Sequence, residues 1–182
     1  MLLIYESGYF NLCDPGAPIQ ISGNPMKAAN LRVKTVLEAS GIEFEITLLP
    51  AAVRTAQLAA DALGCAVGQI ANSLIFRNRA DDSAVLVMCA GDRRVALDKV
   101  RAVTGLELKR ADADFVRRET GFAIGGVPPV AHRYPPRTLL DRSLTRHEHI
   151  WAAAGTPESV FRMTPAELAQ ITGGDWLELA QD

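Results

Sequence analysis

Cysteine is scarce: the 182-residue chain has three, Cys13, Cys65 and Cys89, widely spaced and odd in number. None forms a C-x-x-C pair, which excludes a disulfide framework and a cysteine-rich zinc site. Cys89 closes the apolar run AVLVMCA, where a small buried hydrophobe is expected rather than a reactive thiol. No apolar run reaches the roughly 18–20 residues of a membrane helix, so no membrane partner is expected. The opening MLLIYESGYF lacks the basic start and sustained apolar stretch of a signal peptide. A reducing cytoplasm is the expected location.

The familiar catalytic signatures are missing too. The chain has no G-x-S-x-G elbow, no G-x-x-x-x-G-K-[ST] phosphate loop and no H-E-x-x-H helix. GFAIGG has three glycines in the wrong spacing for a dinucleotide fingerprint, and no cofactor is expected. Histidines are few, and only His147 and His149 in RHEH stand close together. On a strand they would share a face, with His132 as a conceivable third metal ligand. No carboxylate or cysteine joins them at a recognisable spacing, so exposed histidines near a turn are expected and no metal.

Charge is scarce where the chain begins. Residues 1–25 hold no Lys or Arg but three of the ten prolines, in turn-rich pieces such as CDPGAP and SGNP. They read as an extension outside the main domain, with an ordered arm packing on a neighbour as the alternative. The net charge of −2 hides a basic middle: residues 77–146 carry fourteen Lys/Arg against nine Asp/Glu. Such a surplus attracts phosphate if it forms one surface, and is a set of solvated faces otherwise.

What is present is a mixture of helix and strand signals without regular βαβ alternation. A helix is predicted over Ala28–Ser40, with Leu31, Val36 and Leu37 on its apolar face and Gly41 as its left-handed cap. FEITLL alternates as a half-buried strand, and Thr55 caps a short helix ending at Gly64. IANSLIF and AVLVMCAG, joined by NRADD, read as a hairpin. Asp98 is expected to cap DKVRAVTG, LELKR to be a short strand, and Asp112 or Asp114 to cap ADFVRRETG. TLLDRSL and HIWAAAG follow as strands, with Asp141 ending the first. Thr164, Pro165 and Glu167 then form a capping box, and Gly173 stops that last helix. The pattern predicts one α+β domain, residues 26–182, with a mixed and largely antiparallel sheet flanked by helices.

The most informative stretch is TGFAIGGVPPVAH, Thr120 to His132. Adjacent glycines permit close approach to the main chain, and adjacent prolines fix φ and remove two N–H groups. Such a loop either turns a tight structural corner or offers bare backbone to a ligand. Together with LGCAVGQIANSLIF, VLVMCAGDRRVALDKV and RADADFV, in this order, it resembles the YbaK/ProX family of aminoacyl-tRNA editing domains. These are free-standing relatives of the editing domain inserted in bacterial prolyl-tRNA synthetases. The resemblance runs from about Ala28 to the C-terminal helix.

It implies hydrolysis of the ester joining a wrong amino acid to the terminal adenosine of tRNA, with a prolyl-type tRNA as substrate. One methylene gives a synthetase only about 1–3 kcal/mol of discrimination, so a second, hydrolytic site is needed. The chemistry implied is metal-free, with the neighbouring ribose hydroxyl assisting the water. Gly125 and Gly126 would act through main-chain atoms on the reacting group. Val127, Pro128 and Pro129 would complete the cradle. The partner the resemblance implies is tRNA, with a synthetase as a second candidate, and not DNA.

Where relatives usually carry a lysine that anchors the terminal phosphate or adenosine, this chain has Asn72. A neutral amide weakens phosphate binding. A weak deacylase, an altered preference and a silent binder of tRNA or synthetase all follow as expectations. Ser73 beside it and His132 beyond the prolines are further pocket candidates. Lys99 matches a family position and could contact the acceptor stem or form a surface salt bridge. Arg54 and Thr55 could edge the site, and Val160 and Phe161 stand where several relatives carry a polar residue.

Overall fold

The helix ends fall where their caps are. The computed structural model describes residues 27–181 except positions 52 and 54. The expected extension 1–25, Cys13 and Arg54 therefore lie outside the described residues. Helix α1 spans Ala28–Ser40 and closes on Gly41 at φ +75°, whose N–H reaches the Glu38 carbonyl. Helix α2, Ala56–Leu63, starts from Thr55, whose hydroxyl accepts from the Leu58 N–H at 3.2 Å. Helix α4, Ala113–Thr120, is capped by Asp112, not Asp114: its carboxylate accepts from the Phe115 N–H at 2.8 Å. Helix α5, Pro165–Thr172, carries the reciprocal capping box of Thr164 and Glu167.

Two local expectations fail for a tertiary reason. In α1 the buried face is Asn30, Val33 and Leu37, while Leu31 and Val36 point to solvent. Asn30 decides the rotation. Its amide donates to the Ala154 carbonyl and to Ser159 Oγ, both at 2.7 Å, and draws that side of the helix inward. Asp98 does not cap helix α3, Leu97–Thr104, which starts from Ala96. The Ala96 N–H is held by the Leu179 carbonyl at 2.7 Å, so the helix begins two residues early. Asp98 sits in its first turn, where a carboxylate still favours the helix dipole.

The strands are β1 (Ile46–Leu48), β2 (Ile70–Asn78), β3 (Ala84–Ala90), β4 (Leu108–Arg110), β5 (Arg137–Asp141), β6 (Ile150–Ala153), β7 (Ser159–Met163) and β8 (Asp175–Leu177). β2 and β3 form the expected hairpin, with Ala71 opposite Ala90 and Arg77 opposite Ala84. TLLDRSL is strand only to Asp141, whose carboxylate accepts from Ser143 N–H and opens a 3-10 turn over Arg142–Arg146. β8 was not anticipated. The sheet order is β1-β7-β6-β2-β3-β5-β8, and β4 pairs with β2. The β1–β7, β6–β7, β2–β3 and β2–β4 pairings are antiparallel, and the β2–β6, β3–β5 and β5–β8 pairings are parallel.

β3 lies between β2 and β5, which explains its unbroken apolar run. Its side chains divide by parity. Leu86, Met88 and Ala90 join Leu37, Leu140 and Phe161 in one core cluster, and Val85 and Val87 join Val100, Leu139 and Leu179 in another. Among the described residues no helix is long and apolar enough to cross a membrane.

Candidate functional site

The loop after α4 is two structures in one. Its front is a tight turn in which the Gly126 N–H donates to the Ala123 carbonyl at 3.0 Å. Gly125 stands third in that turn at φ +85°, the geometry a type II turn demands. Ile124 at the tip is 60% exposed. Gly126 is glycine for another reason: a Cβ there would lie 2.7 Å from Thr156 Cα and 2.8 Å from Thr156 C. Its main chain thus rests against the β6–β7 turn.

The rear of the loop, Val127 to Val130, is buried. His132 Nε2 sits 2.7 Å from the Pro128 carbonyl, which can only accept, so Nε2 carries the hydrogen. The imidazole meets Phe122 edge-on, with centroids 6.2 Å apart. Arg32 of α1 lies 4.2 Å over the other ring, Phe122, and donates to the Thr120 and Ala131 carbonyls at 3.3 and 2.9 Å. The Pro128 carbonyl is therefore spent inside the protein.

Burial pushes the His132 pKa below its ordinary 6.5, and nearby Arg32 lowers it further against the opposing hydrogen bond to Pro128. The unfolded chain then takes up a proton that the folded chain refuses. Stability contributed by neutral His132 is present above pH 6.5 and is lost as pH falls below that value. The wild type should lose more denaturant midpoint between pH 7.5 and pH 5.5 than His132→Gln does. Equal losses in matched urea titrations at the two pH values would refute this.

Two open hollows meet at the front of the loop. The larger, of about 680 Å³, is edged by Arg93, Arg94 and Arg110 over an apolar floor that includes Phe76, Val95 and Val116. The smaller, of about 320 Å³, is lined by apolar side chains such as Leu49, Val53, Ala59, Ile70, Trp151 and Val160. Both share Asn72, Ser73 and Leu74 of β2 with Ile124, Gly125 and Val127 of the loop. Ser73 Oγ is 3.2 Å from Met88 Sδ. The Asn72 amide makes no hydrogen bond among the described residues. Neither do the main-chain N–H groups of Gly125 and Val127 donate one among them.

The structure thus brings together Asn72, Ser73, Gly125 and Val127. Gly126 lies directly behind them, while Pro128, Pro129 and His132 form the loop's buried or half-buried backing. Lys99 lies on α3 and lines neither hollow. Thr55 both caps α2 and lines the smaller hollow. Val160 faces that hollow, and its neighbour Phe161 is fully buried in the core. His147 and His149 do not share a strand face, because β6 begins only at Ile150. No group of three His, Cys, Asp or Glu suited to a metal occurs among the described residues. Burial pushes the Cys89 thiol up to about 11, with Asp141 adding to the effect, so it stays protonated at neutral pH.

Sequence reasoning missed Arg93, Arg94, Arg110, Ile124 and Trp151. The basic surplus of residues 77–146 was the available signal for the arginines. It could not say which of fourteen cations converge.

A mixed sheet with five helices, holding an open cleft that is apolar at one end and edged by arginines at the other, defines an α+β domain. Residues 50–171 match the aminoacyl-tRNA editing domain, and the chain belongs to that family. It is 30% identical over 141 residues to the uncharacterised protein YwhH of Bacillus subtilis (strain 168), covering 77% of this chain and 89% of that one. A solved structure described as a proposed trans-editing enzyme for prolyl-tRNA synthetase is 40% identical, with a TM-score of 0.81 over 86% of this chain and 99% of its own. The proline–tRNA ligase of Thermosipho africanus (strain TCF52B) is 34% identical over 79 residues, 43% of this chain and 14% of the ligase.

Proposed function

We propose that the protein is a trans-acting deacylase that frees a wrong amino acid from a prolyl-type tRNA in the cytoplasm, without a metal. The observation that carries this is the shared edge of the two hollows. An apolar side chain fits the smaller hollow, a nucleotide fits the larger one, and the ester joining them falls beside Asn72, Gly125 and Val127. The family membership and the names of the prolyl-tRNA relatives support the substrate class.

No Asp, Glu, His or Cys among the described residues lines either hollow. The described lining therefore offers no side-chain base at the ester, and in this reading the substrate's own ribose hydroxyl orients the water. Water oxygen attacks the ester carbonyl, and the N–H groups of Gly125 and Val127, which have no partner among the described residues, hold the developing oxyanion. The bond to the ribose oxygen then breaks, and that oxygen takes the proton. The products are a free amino acid and an uncharged tRNA. The loop's contribution is orientation fixed in advance by its anchoring, with no reorganisation during the reaction.

Purified protein incubated with a panel of mischarged tRNAs should release the amino acid from at least one pairing, at a rate unaffected by chelator. Asn72→Lys should tighten tRNA binding by roughly ten- to a hundredfold, the value of about one charge-assisted contact. Binding without turnover across the panel would replace the enzyme with a silent tRNA binder.

A further inference from the structure

Val127, Pro128 and Pro129 transmit direction along the loop. Both prolines have φ locked at about −65°, and Val127 and Pro128 each precede a proline, which confines them to extended backbone. The orientation of the Pro128 carbonyl therefore passes almost rigidly to Val127 and its N–H. That carbonyl is set by His132, whose Nε2 donates to it at 2.7 Å. The chain turns back at Ala131, which takes the left-handed region at φ +66°, and so returns the His132 ring toward Pro128. That conformation is unfavourable for any residue with a Cβ.

Arg32 of α1 holds that turn in place. Its Nη2 donates to the Ala131 carbonyl at 2.9 Å and to the Thr120 carbonyl at 3.3 Å, tying both ends of the loop to one guanidinium. The guanidinium lies 4.2 Å over the Phe122 ring, and the His132 imidazole meets the same ring edge-on. Gly121 leaves the space for it: a Cβ there would lie 3.0 Å from Arg32 Nη1. On the same helix, Asn30 holds the Ala154 carbonyl and Ser159 Oγ, and so fixes the β6–β7 turn on which Gly126 rests. One helix thus sets the loop and the wall behind it relative to each other. Arg32 stands outside residues 50–171, the stretch that matches the editing-domain family.

We propose that Arg32 and His132 are positioning residues for the deacylation. Neither lines a hollow. Arg32 closes the ends of the loop, His132 sets the Pro128 carbonyl, and together they aim the Gly125 and Val127 N–H groups at the ester. This rests on the deacylase reading for the identity of the reaction, whereas the hold on the loop is measurable without it. A direct grip of Arg32 on tRNA phosphate is the competing role and is left to the test.

Two measurements separate the hold on the loop from the reaction. In the first, steady-state deacylation of a mischarged tRNA compares the wild type with Arg32→Met, Arg32→Lys and His132→Phe. Methionine keeps an apolar stem on Phe122 without the donors, and phenylalanine keeps the ring of His132 without its N–H. In both, kcat should fall by roughly 10- to 100-fold with KM within about twofold of wild type. Arg32→Lys keeps the cation but not the fork and should recover part of the loss. Thr164→Ala removes the α5 cap, lowers the melting temperature by about 2–4 °C and should keep kcat within about twofold. An equal kcat loss in Thr164→Ala, a rise in KM with kcat retained in Arg32→Met, or wild-type kcat in either Arg32→Met or His132→Phe overturns the proposal. In the second, hydrogen exchange read by mass spectrometry compares residues 121–131 with β3. Loop amides, including the Gly126 N–H on the Ala123 carbonyl, should exchange at least about tenfold faster in Arg32→Met and His132→Phe, with β3 unchanged. Loop exchange equal to wild type refutes the hold. If the wild type hydrolyses no mischarged tRNA, the deacylase proposal fails, while the exchange still decides whether Arg32 and His132 fix the loop.

Discussion

Gly126→Ala should reduce deacylation by more than about 100-fold and cost about 1–3 kcal/mol of stability. The added methyl would sit 2.7 Å from Thr156 Cα, 2.8 Å from Thr156 C and 3.0 Å from Pro157 N. All three atoms are backbone, so no rotamer relieves the overlap. Either the β6–β7 turn or the glycine loop must retreat. The turn resists, because Asn30 holds the Ala154 carbonyl and Ser159 Oγ, and Gly155 at φ +104° packs where a Cβ would lie 2.8 Å from the Ala29 carbonyl. The loop moves instead, and with it the main chain of Gly125 and Val127 at the proposed ester site. A displacement near 1 Å is enough for a rate loss of that order.

Gly125→Ala supplies the contrast. Its Cβ would meet only Pro157, at 3.7 Å, so the cost is confined to φ +85° and amounts to about 1–2 kcal/mol. The two variants should lose comparable stability by thermal unfolding but differ by at least tenfold in single-turnover deacylation. Wild-type rates in Gly126→Ala would show that the loop's position is irrelevant to the reaction.

That asymmetry also explains which parts of the molecule were legible in the chain. Thr55 and the Thr164/Glu167 box were read correctly, and the cap of α4 was narrowed to Asp112 or Asp114, because each cap bonds within three residues of itself. The β2–β3 hairpin was legible for the same reason: two apolar runs and a polar turn need no distant partner. The outward turn of Leu31 and Val36 depends on a bond from Asn30 to residues 124 and 129 positions away. No helical periodicity contains that information. β8 is three residues long and completes its pairing only against β5, so nothing local marks it.

The site was legible to the same depth. The glycines and prolines of Thr120–His132 announced a special backbone, but not that its front faces a cleft while its rear is spent on His132. That division is made by Arg32 and Phe122, from α1 and from the loop's own start. The arginines illustrate the converse. Arg93 and Arg110 stand seventeen residues apart in sequence and border one hollow from opposite ends of the β2–β3 hairpin, because Arg110 pairs with Phe76 near the end of β2 and Arg93 follows the β3 exit opposite Ala71. Charge counted along a chain gives attraction, and only the sheet gives a place.

Asp141→Ala should be the most destabilising of the substitutions considered, by about 4 kcal/mol, with a fall of roughly 10 °C in melting temperature. Asp141 is 1% exposed and spends its carboxylate on three main-chain donors. One oxygen accepts from Ser143 N–H at 2.9 Å, and the other from Leu179 and Ala180 N–H at 2.7 and 2.8 Å. Truncation to methyl strands those donors where water reaches poorly, and an unmade buried bond costs more than a made one contributes. Asp141→Asn keeps one acceptor oxygen but turns an NH₂ toward an N–H, so it should fall between the two. Chemical denaturation of the three proteins orders them directly. An alanine variant within about 0.5 kcal/mol of wild type, the range of an ordinary surface change, would show that the staple carries no weight.

The consequence should reach function through the C-terminal segment. Leu179 and Ala180 are what Asp141 holds, the Leu179 carbonyl anchors Ala96 at 2.7 Å, and Gln181 N–H bonds the Arg94 carbonyl at 2.8 Å. Val95 bridges Ala180 in the same segment. Loosening it frees the turn that aims Arg93 and Arg94, without touching either guanidinium. Asp141→Asn, folded at 25 °C, should therefore lose part of its affinity for tRNA in a fluorescence-anisotropy titration while retaining the salt dependence of binding, because the cations remain but are no longer held in place. Loss of salt dependence together with affinity would instead mean that the arginines, and not their mounting, had been disturbed.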